Sequence, residues 1–493
     1  MMKWLGMKRL AARRLMRVKV WMSAGRGLAI AGLLFAAIEA AQAQGGTGFA
    51  PDRARPVKER VLPGGYPDKA SLPSSWAIPA EPLGFSPPGP LYLGERNSLV
   101  SLDFIDENRL LFTFRVPGLI HRDLKAGESG ESDERQIRAV VVALPAGAIE
   151  AEALWTVHDR ARYLWMLKDG HFLVRDRNEL EQGDAHLELK PLLRFPGPLL
   201  WLELDPTQQF LVSNSFEPAA TQAKPGEVPS PATAAATITP GSQSSPGDSS
   251  SLADNSRNPS SNSSSPASNS NSDSNAEQPD LVVRILHRET GQVMLVSRVR
   301  SMVHLPINSE GYLESLRGRG EGWLLNLNFF TGGSRILGGF DSVCAPSMDF
   351  VSQQEVLVSA CDASGGHKLV AMTTDGKTLW DDLNPGTSIW PLLARSPDGL
   401  RLTQETLAVT HPVSSYAPLS AEDVKGQLIT VFNAATGEVA FWSPASPVLD
   451  AGGNVAISPS GRRVAVLNAG AIQVFELPAA PPLPGAAAKH PGH

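Results

Sequence analysis

One stretch of the sequence concentrates residue types that could do chemistry. Residues 155–180, "WTVHDRARYLWMLKDGHFLVRDRNEL", hold two histidines, three aspartates, four arginines and aromatic side chains. A histidine beside an aspartate can act as an acid–base pair, and arginines near aromatic rings can clamp a carboxylate or a sugar. The candidate ligand-binding cluster is His158, Asp159, Arg160, Arg162 and Arg175.

The same stretch also fits a purely structural role. Adjacent residues on a strand point to opposite faces, so His158 and Asp159 would not converge, and the arginines would lie on a surface rim. "FRVPGLIHRDL", with Arg115, His121 and Arg122, raises a similar idea with no stronger support.

Known catalytic and metal-binding signatures are missing from the sequence. It contains no Gly-x-Ser-x-Gly, no His-Glu-x-x-His, no paired Cys-x-x-Cys and no Asp-x-Asp-x-Asp-Gly calcium loop, and its ten histidines are scattered. The sequence therefore predicts no catalytic residue, no metal ligand and no cofactor.

The N-terminus has the features of a secretory signal peptide. Basic residues precede an apolar run over 28–38, and Ala41-Gln42-Ala43 offers a cleavage site after residue 43. The alternative is an uncleaved membrane anchor, although the run is short and Glu39 follows it. No later stretch approaches about 20 apolar residues, so we expect an exported protein, periplasmic or extracellular, with no membrane span after cleavage.

Export affects how the two cysteines are interpreted. Cys344 lies near the start of one apolar run and Cys361 at the end of the next. If the chain folds back near residues 352–354, the two would approach each other, and in an oxidising compartment a disulfide is favoured over a metal site. Two buried free thiols are the alternative.

Three further segments lack the periodicity of packed structure. Residues 44–90 are rich in Pro and Gly and predict a mobile leader that could contact the folded body through Trp76 or Phe85. Residues 216–279 are dominated by Ser, Asn, Pro and Ala and predict a disordered insertion in a loop, or alternatively an interdomain linker. Residues 478–493 predict a disordered tail.

The rest of the sequence has a repeating pattern typical of β-strands. Short apolar runs alternate with turns in "TTDGKTLW", "FNAATGEVAFW", "SPDGLRL" and "SPSGRRVAVL", where Gly supplies positive φ and Pro favours a turn. Residues 91–477 without the insertion leave roughly 320 residues, or about 40–45 for each of seven four-stranded blades. We therefore predict an all-β β-propeller, most simply of seven blades, with six or eight left open. Two stacked sandwiches would fit the strand content but not the alternating turns.

The turns carry a resemblance. "SPDG" and "SPSG" ahead of apolar strands resemble the loops of WD40-like and YVTN-type bacterial propellers, while "AMTTDGKTLW" and "VFNAATGEVAFW" resemble the quinoprotein-type blade motif. Lys377 matches that motif, whereas Asp375 and Glu438 depart from it. The resemblance implies turn and packing roles for Gly376, Trp380, Thr436, Gly437, Trp442 and Gly461.

These features favour an exported binding or interaction module without catalysis of its own. The chain has 493 residues and a net charge near −6, so a nucleic-acid partner is not expected; the partner would be an unknown protein, peptide or glycan, and the protein a monomer. The alternative is a propeller enzyme, either a lactonase-like hydrolase or a quinone-type oxidoreductase. An enzyme should show His, Asp, Glu or Arg side chains converging at the channel mouth.

Overall fold

The structure, a computed structural model, describes nine stretches of the chain. They are residues 66–89, 97–118, 121–122, 133–158, 161–217, 280–318, 322–363, 365–413 and 420–481. The predicted signal peptide, nearly all of the predicted insertion (218–279) and most of the tail (482–493) lie outside these residues.

The described residues form 28 strands in seven sheets, each sheet being one blade. The first blade has β2 (Val100–Asp106), β3 (Arg109–Arg115), β5 (Asp133–Ala143) and β6 (Ala148–Val157), with the short β4 (His121–Arg122) paired to β5. The second has β7 (Leu164–Met166), β8 (Phe172–Asp176), β9 (Glu179–Gly183) and β10 (Lys190–Arg194). The third has β11 (Leu199–Leu204), β12 (Phe210–Glu217), β13 (Asp280–His287) and β14 (Val293–Val299).

The remaining four blades follow the same antiparallel order. The fourth has three strands, β15 (Gly311–Arg317), β16 (Gly322–Phe329) and β17 (Ser334–Asp341). The fifth has β18 (Ser347–Phe350), β19 (Glu355–Cys361), β20 (His367–Thr373) and β21 (Thr378–Asn384). The sixth has β22 (Ser388–Arg395), β23 (Arg401–Val409), β24 (Val424–Asn433) and β25 (Val439–Ala445). The seventh has β26 (Val455–Ile457), β27 (Arg463–Asn468), β28 (Ala471–Glu476) and β1 (Trp76–Pro79).

The seventh blade closes the ring with a strand from the other end of the chain. β1 pairs antiparallel with β28, with Trp76 opposite Val474 and Ile78 opposite Ile472. β1 lies within residues 44–90, which the sequence analysis treats as a leader. Phe85 also packs into the core beside Phe112, at 5.3 Å between ring centroids. The propeller therefore takes in part of the predicted leader.

Each blade packs on the next through an apolar interface. Every neighbouring pair of blades, including the seventh with the first, shares its own cluster of buried aliphatic and aromatic side chains. A sheet with two apolar faces must cover both, and a closed ring of sheets does so without leaving an end blade uncovered. The apolar segments that recur along the sequence supply the side chains buried at these interfaces.

The structure confirms the predicted all-β, seven-blade β-propeller. Helical turns among the described residues are limited to two short 3₁₀ segments, Glu81–Leu83 and Ala421–Asp423. In that same part of the chain, no helix has the length and apolar character needed to cross a membrane.

Candidate axial ligand site

The first strand of a blade lies nearest the axis of the ring, except in blade 4, where the segment leading into β15 holds that position, with Ile307 bridged to Tyr312. β2 contacts both β26 of the seventh blade and β7 of the second, as expected where inner strands of successive blades converge. Charged side chains on or beside these inner strands are therefore brought together although they are far apart in sequence.

Three carboxylates occupy the same position in alternate blades. In blades 3 and 5 the last pair across the inner hairpin begins with Leu204 and Phe350, and in blade 1 the equivalent pair begins with Phe104, just ahead of a bulge and the Asp106–Arg109 pair. The residue just before each is acidic, and these three are Asp103, Glu203 and Asp349.

Side-chain alternation directs each carboxylate toward the following blade. In blade 1, Leu102 and Phe104 belong to the interface with the seventh blade, whereas Ile105 belongs to the interface with the second. Successive residues of a strand point to opposite faces, so Asp103 lies on the side of the second blade. The same alternation, with the neighbours of Glu203 and Asp349 in the preceding interfaces, turns those two toward blades 4 and 6.

The blade that follows each of these carboxylates carries a basic side chain near the axis. Arg162 precedes β7 of blade 2, His304 precedes β15 of blade 4, and Arg395 ends β22 of blade 6. Acidic and basic groups therefore alternate around the axis over six blades, while the seventh contributes the small Ala456 at the equivalent position. We call this set the axial ring: Asp103, Arg162, Glu203, His304, Asp349 and Arg395.

Glu203 and His304 make the shortest contact in the axial ring. His304 Nε2 lies 2.9 Å from Glu203 Oε2, and the imidazole meets the edge of Trp201 at 5.8 Å between ring centroids. Burial acts to lower the pKa of His304, but the hydrogen bond and charge of Glu203, helped by Asp349, outweigh it and raise that pKa to about 9. The imidazole therefore holds its proton more tightly than a free histidine does.

Asp349 is the least satisfied carboxylate of the axial ring. Its Oδ1 lies 3.8 Å from His304 Nε2, and among the described residues it accepts no hydrogen bond. Burial, followed by the charge of Glu203, raises the pKa of Asp349 to about 7, against the lowering effect of His304, Arg395 and Arg162.

The two arginines are held by backbone carbonyls rather than by carboxylates. Arg162 Nε donates to Leu164 O at 2.9 Å, and Arg395 Nη1 donates to Phe350 O. Burial lowers the pKa of both guanidinium groups, and nearby carboxylates, Asp349 among them, oppose that change. Neither guanidinium has a carboxylate within ion-pair distance in the described part of the chain, so hydrogen-bond donors remain available toward the axis.

The axial ring opens toward the face that carries the inner turns. Arg395 lines a cavity of ≈ 240 Å³ together with turn residues of blades 2, 3 and 5, including Lys168, Thr207 and Gln353. Burial lowers the pKa of Lys168, as does the charge of Arg395. A ligand entering here would meet positive charge first.

A larger cavity of ≈ 490 Å³ lies between the first and second blades. Its walls are exposed loops that include Asp106, His171 and His186. Arg109 beside it is already paired with Asp106 at 2.7 Å. The charges there are locally satisfied and solvent-exposed, so the axial ring is the stronger candidate despite the smaller opening.

The structure distributes the cluster predicted from sequence over several places. His158 pairs with Asp176, with Nδ1 3.0 Å from both carboxylate oxygens. Arg175 is buried, and its Nη1 donates to Leu200 O at 2.8 Å. Arg162 joins the axial ring, and the pair at 159 and 160, Asp159 and Arg160, lies outside the described residues.

The cysteines and the blade-motif residues have structural surroundings. Cys344 and Cys361 are joined by a disulfide that ties the connection before β18 to the end of β19. Trp380 Nε1 donates to Ala434 O at 2.6 Å, and the Trp380 ring lies against Gly437, where a Cβ would stand 2.6 Å from it. The other predicted turn and packing residues lie in turns or strands: Gly376, Gly461, Thr436 and Trp442.

Five of the six residues of the axial ring were not singled out from the sequence. The signal available was an acid set between apolar residues just ahead of an inner turn, in "SLDFID", "WLELD" and "SMDFV". Each string has the pattern of an ordinary strand, and a single acidic residue within a strand does not by itself indicate a functional site. Only their shared register identifies them as a set.

Known proteins resemble this chain only at low sequence identity. No protein-family model and no curated protein matches the chain. Among solved structures, the chain is similar to Pyrococcus horikoshii acylaminoacyl peptidase (TM-score 0.38, 11% identity), covering 73% of this chain and 47% of the peptidase, so it spans about half the peptidase's length.

Two further solved structures are covered almost completely. The β-propeller domain of the Trilobed protease from Pyrococcus furiosus gives a TM-score of 0.37 at 11% identity, over 77% of this chain and 94% of that domain. Chaetomium thermophilum Sqt1 bound to the N-terminus of the ribosomal protein L10 gives 0.37 at 8% identity, over 82% and 99%. At such identities the likeness concerns the fold alone.

Proposed function

We propose that this protein is an exported β-propeller that binds a small carboxylic acid, also bearing a hydroxyl or amino group, within the axial ring. The observation that carries this proposal is the pair of guanidinium groups, Arg162 and Arg395, which lie by the axis without an ion-pair partner among the described residues. Guanidinium groups bind carboxylates through two parallel hydrogen bonds.

The charge balance of the axial ring selects the kind of anion. Three carboxylates stand among the cations, so a doubly charged phosphate would meet repulsion that a single carboxylate largely avoids. Asp103 and Asp349 can in turn accept hydrogen bonds from a hydroxyl or ammonium group of the same ligand. A free hydroxy or amino acid, a peptide C-terminus or an acidic sugar unit all offer this chemistry.

The basic and apolar N-terminus supports export, which would place the protein in a periplasmic or extracellular setting where such acids are found as nutrients or polymer ends. Propellers commonly recognise ligands at the mouth of the central channel, where loops from several blades meet.

Calorimetric titration tests the proposal. We expect binding of hydroxy acids, amino acids or uronic acids, and no binding of matched alcohols and neutral sugars that lack the carboxylate. Arg162→Gln and Arg395→Gln should each weaken binding at least tenfold, as expected for loss of a charged hydrogen bond. Arg194→Gln, at an exposed arginine, is the matched control. Equal binding of the neutral analogues, or unchanged affinity in both variants, would contradict the proposal.

A catalytic role at the same ring is the second candidate. It is favoured by the contact between Glu203 and His304, because a charged imidazole beside a bound acid or ester can act as a general acid. Convergent His, Asp, Glu and Arg side chains are what an enzyme of this fold requires. Turnover of an ester or lactone that His304→Gln abolishes, while substrate binding persists, would favour this role over binding alone.

A further inference from the structure

We infer that Glu203, His304 and Asp349 form a binding site for one divalent first-row transition-metal ion. One oxygen of each carboxylate and a ring nitrogen of the histidine all lie within 4.8 Å of one another. The inference goes beyond ligand recognition by the arginines and does not depend on it.

The three groups are delivered by separate, rigid parts of the ring. Glu203 belongs to β11 of blade 3 and Asp349 to β18 of blade 5, while His304 lies in the connection that leads into β15 of blade 4. The Trp201 ring lies perpendicular to the imidazole, with 5.8 Å between ring centroids, and limits its movement. A site held by the inner strands of two blades and by the segment that leads into a third needs little reorganisation when an ion enters.

The distances approach those of ligands that share an ion. Donor atoms bound at about 2.1 Å to one metal lie roughly 3–3.5 Å from each other in octahedral or tetrahedral geometry. His304 Nε2 is 2.9 Å from Glu203 Oε2 and 3.8 Å from Asp349 Oδ1. The Glu203 and Asp349 oxygens lie within 4.8 Å of each other, so the Asp349 carboxylate would have to move closer by about 1–2 Å to complete the arrangement.

A simple ion pair leaves this cluster incomplete. His304 Nε2 lies 2.9 Å from Glu203 Oε2, yet that oxygen is buried without a well-aligned hydrogen bond among the described residues, and Asp349 at 3.8 Å is beyond hydrogen-bond distance. The nearby guanidinium groups of Arg162 and Arg395 do not occupy the ligand atom of Asp349, since neither makes an ion pair with it in the described structure. A divalent ion satisfies both carboxylates and the imidazole at once.

The donor set indicates the class of metal. Two carboxylates and one imidazole, with no thiolate, suit zinc, manganese, iron or cobalt, whereas calcium and magnesium prefer all-oxygen sites. Three protein ligands leave coordination positions open, as in sites where an ion holds an exogenous group. Arg162 and Arg395 both lie close enough to Asp349 to act on its charge, so a carboxylate held by the arginines could also reach the ion.

Cobalt provides a direct probe. The full-length protein, treated with a chelator and dialysed, is titrated with Co²⁺, and d–d absorption is followed in the visible range. We expect one equivalent to bind with a spectrum that reports nitrogen and oxygen ligands, and Zn²⁺ to displace it. His304→Gln and Asp349→Asn should each weaken Co²⁺ binding at least tenfold, and Glu203→Gln should do the same.

Two controls separate this site from others. His171→Gln removes an exposed histidine 3.2 Å from the Asp169 carboxylate and should leave the spectrum unchanged. Arg162→Gln should also retain Co²⁺, which distinguishes metal binding from the proposed carboxylate binding. Circular dichroism checks that each variant is folded. No Co²⁺ spectrum in the parent, or one full equivalent retained in both His304→Gln and Glu203→Gln, would overturn the inference.

Discussion

The interfaces between blades and the axial ring obey opposite rules. At every interface the side chains are apolar, enclosed and of the same kind from blade to blade. Around the axis they are charged, differ in each blade and leave hydrogen-bonding groups unsatisfied within the described structure. What is repeated builds the scaffold, and what departs from the repeat sets the chemistry of the centre.

The difference has an energetic consequence. Burying apolar surface stabilises a fold by about 25 cal/mol per Å², whereas bringing like charges beneath the surface opposes folding. Substitutions that remove apolar contacts at the interfaces should therefore lower the free energy of unfolding. Substitutions that neutralise a carboxylate near the axis should raise it. Substitutions in the two regions should have opposite signs.

The largest expected effect is at an interface. Phe112 is fully enclosed and lies 4.9 Å from the Phe114 ring, centroid to centroid. Phe112→Ala should lower the free energy of unfolding by about 3–5 kcal/mol, because the cavity left behind cannot collapse. Urea unfolding followed by tryptophan fluorescence measures it. Leu154→Ala, at a side chain that is 61% exposed, should change stability by less than about 0.5 kcal/mol. Similar losses in both variants would contradict the comparison.

The repeated parts of the structure could be predicted from the sequence, whereas the parts that depart from the repeat could not. Turns such as "NAATGEV" and "SPSGRR" have local causes, since Gly437 and Gly461 have positive φ, so the fold class and the blade count were predictable. Closure through β1 was not, because Trp76–Pro79 is four residues long and lies in Pro-rich text. Its partner β28 is almost four hundred residues away.

The axial ring was harder to predict because its members are related by register rather than by spacing. His158 and Asp159 are adjacent in sequence, yet the contact of His158 is with Asp176. Glu203 and His304 are separated by the whole third blade and its insertion, yet their side chains meet. Aligning the blades on the last pair of each inner hairpin would have revealed the acids.

A second, intermediate effect is expected at Glu405, an enclosed acid beside the axial ring. It lies in β23, where Gln427 Nε2 donates to its carboxylate at 2.9 Å and Gly453 N at 3.2 Å. Burial raises the pKa of Glu405 to about 7, with a smaller contribution from Asp103. Because the folded state holds this proton more tightly than the unfolded chain, stability should be full below about pH 4.5 and be lost as pH rises through 7.

Glu405→Gln should remove that dependence. The free energy of unfolding of the variant minus that of the parent should increase by about 1–3 kcal/mol as the pH rises from 5 to 8. This increase is expected whatever the difference between the two proteins is at pH 5. Since Gly453, Asn454 and Gln427 all donate to the Glu405 carboxyl and glutamine has only one acceptor oxygen, the variant should start below the parent at low pH. Urea unfolding at a series of pH values measures the difference. Parallel pH profiles for parent and variant would show that Glu405 is not the group responsible.

The smallest effect, and the sharpest for the comparison, is expected within the axial ring at Asp103. Burial raises the pKa of this carboxyl, while Ser101 Oγ, at 2.6 Å, and Arg162 act to lower it. Asp103→Asn keeps an oxygen for Ser101 and removes a negative charge, so above neutral pH it should gain roughly 0.5–1 kcal/mol after allowance for solvent screening. Asp103 also raises the pKa of Glu405, so in the variant the loss of stability through Glu405 should move to lower pH. If Asp103→Asn instead lowered the free energy of unfolding, as a substitution at an interface does, the charges of the axial ring would be shown to stabilise the fold.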